Sequence, residues 1–392
     1  MIFLIIFVPY NFDSMKKNIS NPFVYGKAVE GDNFTDREFE TSRLRLNFEN
    51  GVNSILISPR RMGKTSLVKK AISQMTSPDI KIVFMDIYKC RTAMDFYEKF
   101  ASSVIRSTSS KIDKMLELAK NLLVGITPQI RYSPEPNSDF SLSLGLSPQT
   151  TEPEEVLNLP EVIAVRQDVR IVVCIDEFQQ IGEMPDSLSL QKIIRSVWQH
   201  QQHVSYCLFG SKRHLMTNLF YKRSMPFYQF GDMFFLKRIP TDKWVPFIIS
   251  RFTEAGKRIS ADYAKKICEK VENYSSYVQQ LAWNVLAVTP EEVTEESFLQ
   301  GVESTLEQVT PLFVEQSARL TTYQLNLLRA ICEGVHRDYG NTENRMRFNL
   351  GSRSNIDKLK SALVEREIIE VNEDGVFIAD PLFSIWFKRE MM

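Results

Sequence analysis

This sequence predicts an α/β core on a parallel sheet, then an all-helical segment, then a small domain of helices closed by a hairpin. Three observations predict it. Short runs that are apolar at every position alternate with helical stretches, the pattern of strands buried on both faces. From Asp242 to about residue 309 the periodicity is helical, with no buried strand interrupting it. Past Leu320, two helical faces are followed by two short β runs around a turn. With 392 residues, 43% of them hydrophobic, the chain has apolar material for more than one core, and about two or three domains are expected.

The elements follow in order. Residues 20–50 form an approach segment ending in a helix that opens at Phe34-Thr35-Asp36-Arg37-Glu38. Ser54-Ile55-Leu56-Ile57, stopped by Ser58-Pro59, reads as a buried strand, and a helix is predicted from Lys64 to about Gln74. Ile80 to Met85 is a second buried strand ending at Asp86, and a long helical stretch covers about 91–124. Residues 126–154 are rich in Ser, Pro, Thr and Glu and alternate at Phe140-Ser141-Leu142-Ser143-Leu144, which predicts a loop or hairpin off the core. Ile171 to Ile175, Val204 to Phe209 and Phe234 to Leu236 supply three more strands. Helices are expected at about 242–256, 260–272, 275–288 and 294–309. Thr321-x-x-Gln324 forms a capping box, with Leu325, Leu328 and Ile331 on one helical face. Ile356, Leu359 and Leu363 mark another helix. Ile368 to Val371, a turn at Asn372 to Gly375, and Val376 to Ile378 make a hairpin, and helices followed by a hairpin suggest a winged helix. The expected domains are therefore 1–19 as an N-terminal tail, 20–240 as the core, 241–312 as a helical lid and 313–392 as the winged-helix domain.

Composition excludes several classes. Lys+Arg is 48 and Asp+Glu is 48, so formal net charge is zero. A protein that works mainly by wrapping polyphosphate backbone is usually basic, so a nucleic-acid role would need a local patch. Cys90, Cys174, Cys207, Cys268 and Cys332 show no CxxC spacing and read as reduced core thiols of a cytoplasmic protein. None of the four histidines has metal-ligand company. The apolar run Met1 to Val8, stopped by Pro9, is far shorter than the about 20 residues a membrane span needs. It also lacks the basic start and cleavage site of a signal peptide. Met15 followed by Lys16 and Lys17 is a better cytosolic start, which makes residues 1–14 a start-site artefact or a tail.

Residues 58–65 read Ser-Pro-Arg-Arg-Met-Gly-Lys-Thr. Their last three positions satisfy the phosphate-loop pattern G-x-x-x-x-G-K-[ST], with Ser58 where the first glycine is usual. A left-handed backbone at that position would cost Ser more than Gly. The chemistry sets which positions matter. Backbone N–H groups and a helix N-terminus wrap phosphates. Gly63 allows close approach. Lys64 bridges the outer phosphates as a point charge, and Thr65 supplies a hard oxygen to Mg²⁺. The nucleotide-binding set is Ser58, Pro59, Arg60, Arg61, Met62, Gly63, Lys64, Thr65 and Ser66. Phe34 and Arg37 are candidates for an adenine pocket, against the alternative of a core Phe and a surface Arg.

Asp176 and Glu177 follow the apolar run Ile171 to Ile175. Such a strand end lies at the carboxyl edge of a parallel sheet, where ligands bind. Asp176 is placed to hold Mg²⁺, and Glu177 to polarise the water that attacks the γ-phosphate. A solvated turn is the alternative for Glu177. Ser211, after the fourth strand, is expected to reach the γ-phosphate or the attacking water, or else to cap the next helix. Arg213 and Arg223 are arginine-finger candidates. The strand at 80–85 lies between the two motifs in the chain, which points to phosphate-loop proteins with an extra strand between loop and acidic strand.

These motifs resemble the archaeal-type ATPases, the STAND branch of AAA-like P-loop proteins. The matching residues are Asn21-Pro22-Phe23, Phe34 to Glu38, Ser58 to Ser66, Ile175-Asp-Glu-Phe-Gln179, Phe209-Gly-Ser211 and Asp380-Pro-Leu-Phe-Ser-Ile-Trp386. The resemblance covers nearly the whole chain and implies an ATPase core, a helical lid and a winged helix. Where the family's lid carries Gly-Gly-x-Pro, this chain has Asn273 to Tyr277. Its Pro-Leu-Tyr-Gly-Arg element stands here as Pro226 to Phe230, without the Arg.

The leading expectation is a Mg²⁺-dependent ATPase that binds ATP and ADP and acts as a nucleotide-driven switch. The alternatives are a DNA-associated helper ATPase and a non-hydrolysing ATP-binding scaffold. Near-equal numbers of basic and acidic residues past 320 make the winged helix a weak DNA footprint and favour a protein partner. No membrane role is expected.

Overall fold

The computed structural model describes residues 21–29, 31–109, 129–132, 140–146 and 152–392. The expected tail at 1–19 and the part of the expected 91–124 helix beyond 109 lie outside the described residues. The chain divides into two compact units. One comprises Ala28–Ile239 with Tyr274–Ser276, and the other Met1–Lys27, Pro240–Asn273 and Tyr277–Met392.

The first unit opens with α1 (Glu38–Glu49), β1 (Ser54–Ile57), α2 (Lys64–Ser73), β2 (Ile80–Asp86) and α3 (Ala93–Thr108). A separate antiparallel pair, β3 (Gln129–Tyr132) and β4 (Phe140–Ser143), lies within the stretch expected to be a loop or hairpin, and residues 133–139 between the two strands lie outside the described residues. Then come α4 (Pro153–Gln167), β5 (Arg170–Asp176), α5 (Gln180–Glu183), α6 (Ser187–Trp198), β6 (Val204–Gly210), α7 (Arg213–Tyr221) and β7 (Asp232–Phe235). The five-stranded sheet runs β2-β5-β6-β1-β7, every pairing parallel. The strand standing between β1 and β5 in space is β6; β2, which separates them in the chain, takes the edge beyond β5.

Helix α3 starts on a Thr92/Asp95 capping box and closes at Thr108, where Ser109 turns extended. Helix α4 departs from the sequence expectation, which places no helix there. Pro153 stands at its first position and Pro160 lies inside it, so its helical pattern is hidden by a residue type that usually breaks helices. Its buried face, including Val156, Leu159 and Ile163, holds it in place all the same.

The core beneath the site is aromatic. Trp198 stacks on Tyr206 with centroids 3.8 Å apart, and Phe178 packs edge-on to Phe227 at 5.4 Å. Phe227 and Phe230, from the stretch Pro226 to Phe230, are both buried in this cluster. Phe178 therefore anchors the chain just past β5, between two polar neighbours, Glu177 and Gln179.

The second unit is helical up to its terminal hairpin: α8 (Thr241–Glu254), α9 (Ala261–Lys270), α10 (Ser275–Val288), α11 (Glu295–Ala318), α12 (Thr322–Cys332), α13 (Thr342–Arg347), α14 (Arg353–Glu365), β8 (Ile369–Asn372), β9 (Gly375–Ile378) and α15 (Pro381–Glu390). Helix α11 runs unbroken through the expected division at 312, with Pro311 in its interior. The capping box at Thr321 forms as the sequence predicts: Thr321 Oγ1 accepts from the Gln324 amide and Gln324 Oε1 from the Thr321 amide. Phe23 packs edge-on to Phe252 at 5.9 Å. Asp380 caps α15 by accepting from the amides of Leu382 and Phe383, and its other oxygen accepts from the Tyr277 hydroxyl. Among the described residues, no helix is long and apolar enough to cross a membrane.

Candidate functional site

Strand order decides what meets at the carboxyl edge of the sheet. The loop Ser58 to Gly63 leaves β1, the pair Asp176-Glu177 leaves β5, and Ser211 leaves β6, which lies between them. The three chain ends are therefore neighbours on one sheet edge, although the loop lies far from the other two in the chain.

The loop turns on two left-handed residues, Arg61 (φ 66°) and Gly63 (φ 85°). Ser58 is not one of them, so serine there carries none of the expected left-handed cost. Its hydroxyl donates to the Pro59 carbonyl, and the residue is buried. A Cβ built on Gly63 would meet nothing within 4 Å. The space beside that backbone is open, and the left-handed φ keeps the position suited to glycine. The next residue begins α2. Lys64 is buried, and its ammonium donates to the carbonyls of Ser58 (3.0 Å) and Pro59 (2.9 Å). A buried ammonium needs such partners, and here they are carbonyls of the loop itself. Arg60 and Arg61 are exposed while Met62 is buried. The Arg61 carbonyl accepts from the Ser276 amide at 3.1 Å. Ser66 Oγ accepts from the Val29 amide at 2.8 Å and so ties the approach segment to α2.

Thr65 Oγ1 donates to Asp176 Oδ2 at 2.7 Å, and the Glu177 amide donates to Asp176 Oδ1 at 2.9 Å. Burial pushes the Asp176 carboxyl up to about 6; the Thr65 hydrogen bond opposes this and the neighbouring Glu177 charge adds to it. Glu177 itself sits in the left-handed region at φ 56°. For a non-glycine residue that conformation costs on the order of 1 kcal/mol and concentrates at functional sites. Its carboxylate Oε2 accepts from the Ser211 hydroxyl at 2.9 Å and from Gln179 Nε2. Ser211 is buried and spends its hydroxyl on Glu177, not on capping α7, which has no side-chain cap. Arg60 Nε stands 3.5 Å from Ser211 Oγ.

Among the described residues, no group of three or more His, Cys, Asp or Glu side chains gathers as a self-sufficient metal cage. One hydroxyl and one carboxylate in contact is instead the protein share of a Mg²⁺ site whose other ligands are phosphate oxygens and water. Thr65 and Asp176 fit that share.

Phe34, Arg37 and Arg213 each have side-chain contacts of their own. Arg37 is buried at the start of α1, where its guanidinium donates to Glu40 and to the Lys237 carbonyl. Phe34 is half-buried, with Lys70 Nζ 5.8 Å over its ring. Arg213 lies 5.2 Å over the Phe235 ring, and Arg223 is exposed. Two residues that stand in the matching motifs but receive no site role from the sequence adjoin Glu177: Gln179, and Gly210 against which it packs. The signal available is positional. Gln179 lies two residues past Glu177, with the core anchor Phe178 between them.

A Walker-type ATPase of Pyrococcus abyssi covers 94% of this chain and 99% of its own, at 18% identity and a TM-score of 0.68. The ORC2 protein of Aeropyrum pernix in ADPNP–ADP complexes covers 93% and 94%, at 14% identity and a TM-score of 0.56. The fold is that of a P-loop ATPase with a C-terminal winged helix. Residues 311–389 match the family described as a probable winged helix domain. No curated protein matches the chain. At these identities the likeness is one of fold alone.

Proposed function

We propose that this chain is a Mg²⁺-dependent ATPase of the STAND branch, acting in the cytoplasm as a nucleotide-driven switch. The observation that carries the reading is the contact of Thr65 with Asp176 at 2.7 Å, on the same sheet edge as Lys64 and Glu177. The roles follow from the chemistry. Loop amides from Arg60 to Lys64, with the start of α2, hold the phosphates. The Lys64 ammonium, which bonds the carbonyls of Ser58 and Pro59, gains phosphate oxygens as further partners. Mg²⁺, when bound, would offset phosphate charge; Thr65 and Asp176 are the residues that would hold it. Glu177 accepts a proton from water as the water oxygen bonds to the γ-phosphorus and the bond to the ADP oxygen breaks. Ser211 fixes the Glu177 carboxylate from the neighbouring strand. A switch then requires a partner whose affinity differs between the ATP and ADP states.

The partner is read as a protein. Around the cavity beside the winged-helix hairpin, cationic side chains are engaged internally. Arg337 donates to the Glu373 and Asp374 carbonyls, Arg353 to the Gly340 carbonyl, and Lys360 pairs with Asp357 at 2.9 Å. Cations committed in this way contribute little to neutralising a phosphate backbone.

The test is ADP release by the purified chain. Glu177→Gln is expected to lower Mg²⁺-dependent turnover about a hundredfold while nucleotide affinity stays within a few fold. Absence of any turnover that this substitution removes sinks the enzyme reading.

A further inference from the structure

Gln179 is almost wholly buried, at 1% exposure. Its Nε2 donates to Glu177 Oε2, the same oxygen that receives the Ser211 hydroxyl. Its Oε1 is buried and has no hydrogen-bond partner among the described residues. Turning the amide over would not relieve this, because its oxygen would then face the carboxylate. An orphaned amide oxygen costs about 1–3 kcal/mol, so an apolar side chain of the same length would serve the core better. What glutamine adds is the single donor aimed at Glu177. The end of β6 is shaped to receive it: a Cβ on Gly210 would lie 1.9 Å from Gln179 Oε1 and 2.9 Å from the Met216 sulfur. Phe178, locked in the aromatic cluster, fixes the backbone between the two polar residues.

We infer that Gln179 is a positioning residue for Glu177, with Gly210 as the seat that admits it. Two neutral donors, from the end of β6 and from the turn after β5, hold Oε2 and leave Oε1 as the oxygen that neither engages. The carboxylate is thereby kept in one orientation toward the water it deprotonates. This inference rests on the ATPase reading above and adds a residue to it. The same arrangement gives the left-handed backbone of Glu177 a purpose: that turn brings residue 179 back to the carboxylate of residue 177.

The experiment measures steady-state and single-turnover hydrolysis of Mg-ATP by the full chain. Gln179→Met keeps the length and removes the donor. It is expected to lower kcat about tenfold with KM within twofold, and not to lower the melting temperature. Gly210→Ala is expected to lower kcat similarly, through collision with the amide. In a Glu177→Gln background, Gln179→Met is expected to cause no further fall in the single-turnover rate, since residues acting as a unit are non-additive. Unchanged kcat in Gln179→Met overturns the inference, as does a tenfold fall that persists in the Glu177→Gln background. Wild-type protein without turnover overturns the ATPase reading and this inference with it. Wild-type turnover matched by Gln179→Met overturns this inference alone.

Discussion

Two aspartates, one in each unit, show how differently the chain uses the same side chain. Asp380 has both oxygens committed to structure: one caps α15 and the other accepts from Tyr277. Asp176 takes one backbone amide and one hydroxyl, and burial pushes its carboxyl up to about 6. The first arrangement spends the carboxylate on a helix N-terminus and a neighbouring hydroxyl. The second leaves a carboxylate under-compensated at the edge of a sheet, where a cation would relieve it. The difference teaches that a carboxylate whose burial outweighs its hydrogen bonds stands apart from one spent on a helix cap.

Four variants break or sharpen that contrast. The largest effect is expected from Lys64→Ala, which removes the one ammonium of the loop: ATP turnover should fall at least a hundredfold, about 3 kcal/mol in the barrier, as read by ADP release. Asp380→Ala should destabilise the fold by about 2 kcal/mol, because it removes a cap and a hydrogen bond from the Tyr277 hydroxyl; thermal melting checks it. A rise in stability there would erase the contrast.

Asp176→Asn should act in the opposite direction in metal-free protein. The folded carboxyl titrates near 6 and the unfolded one near 3.8. Between those values the folded state binds the extra proton, so stability falls as pH rises through that window and stays lower above it. At pH 8 the amide should therefore raise stability by about 1–2 kcal/mol after allowance for solvent screening, and near pH 4 the gain should vanish. Melting curves at the two pH values decide the sign. The smallest effect is expected for joint reversal of Lys358 and Lys360 to Glu. Duplex DNA binding at physiological salt should be weak before and after, in a mobility-shift titration. Tight, salt-dependent binding that the reversal removes would make the winged helix a DNA reader instead.

Much of the architecture is legible in the residues. The five strands of the sheet can be marked because each carries consecutive apolar positions, and Thr321-x-x-Gln324 announces its own helix start. Helix α4 cannot be read, because Pro160 contradicts the local pattern and only tertiary burial of Val156, Leu159 and Ile163 overrides it. The continuous α11 is hidden in the same way by Pro311. In the site, Lys64, Thr65 and the Asp176-Glu177 pair are marked by motif and by strand context. Gln179 closes the matching run Ile175 to Gln179 but carries no role there, because nothing local distinguishes a glutamine that donates to a carboxylate from one on a surface turn.

By itself, the sequence determined which segments must be buried strands and which loop can wrap a phosphate, since both depend on neighbours in the chain. The tertiary structure decided that β6 stands between β1 and β5, that Ser211 reaches Glu177, and that Gly210 admits Gln179. Those outcomes depend on which strand edges pair, and strand order is set by packing across the whole sheet, which no local run of residues encodes.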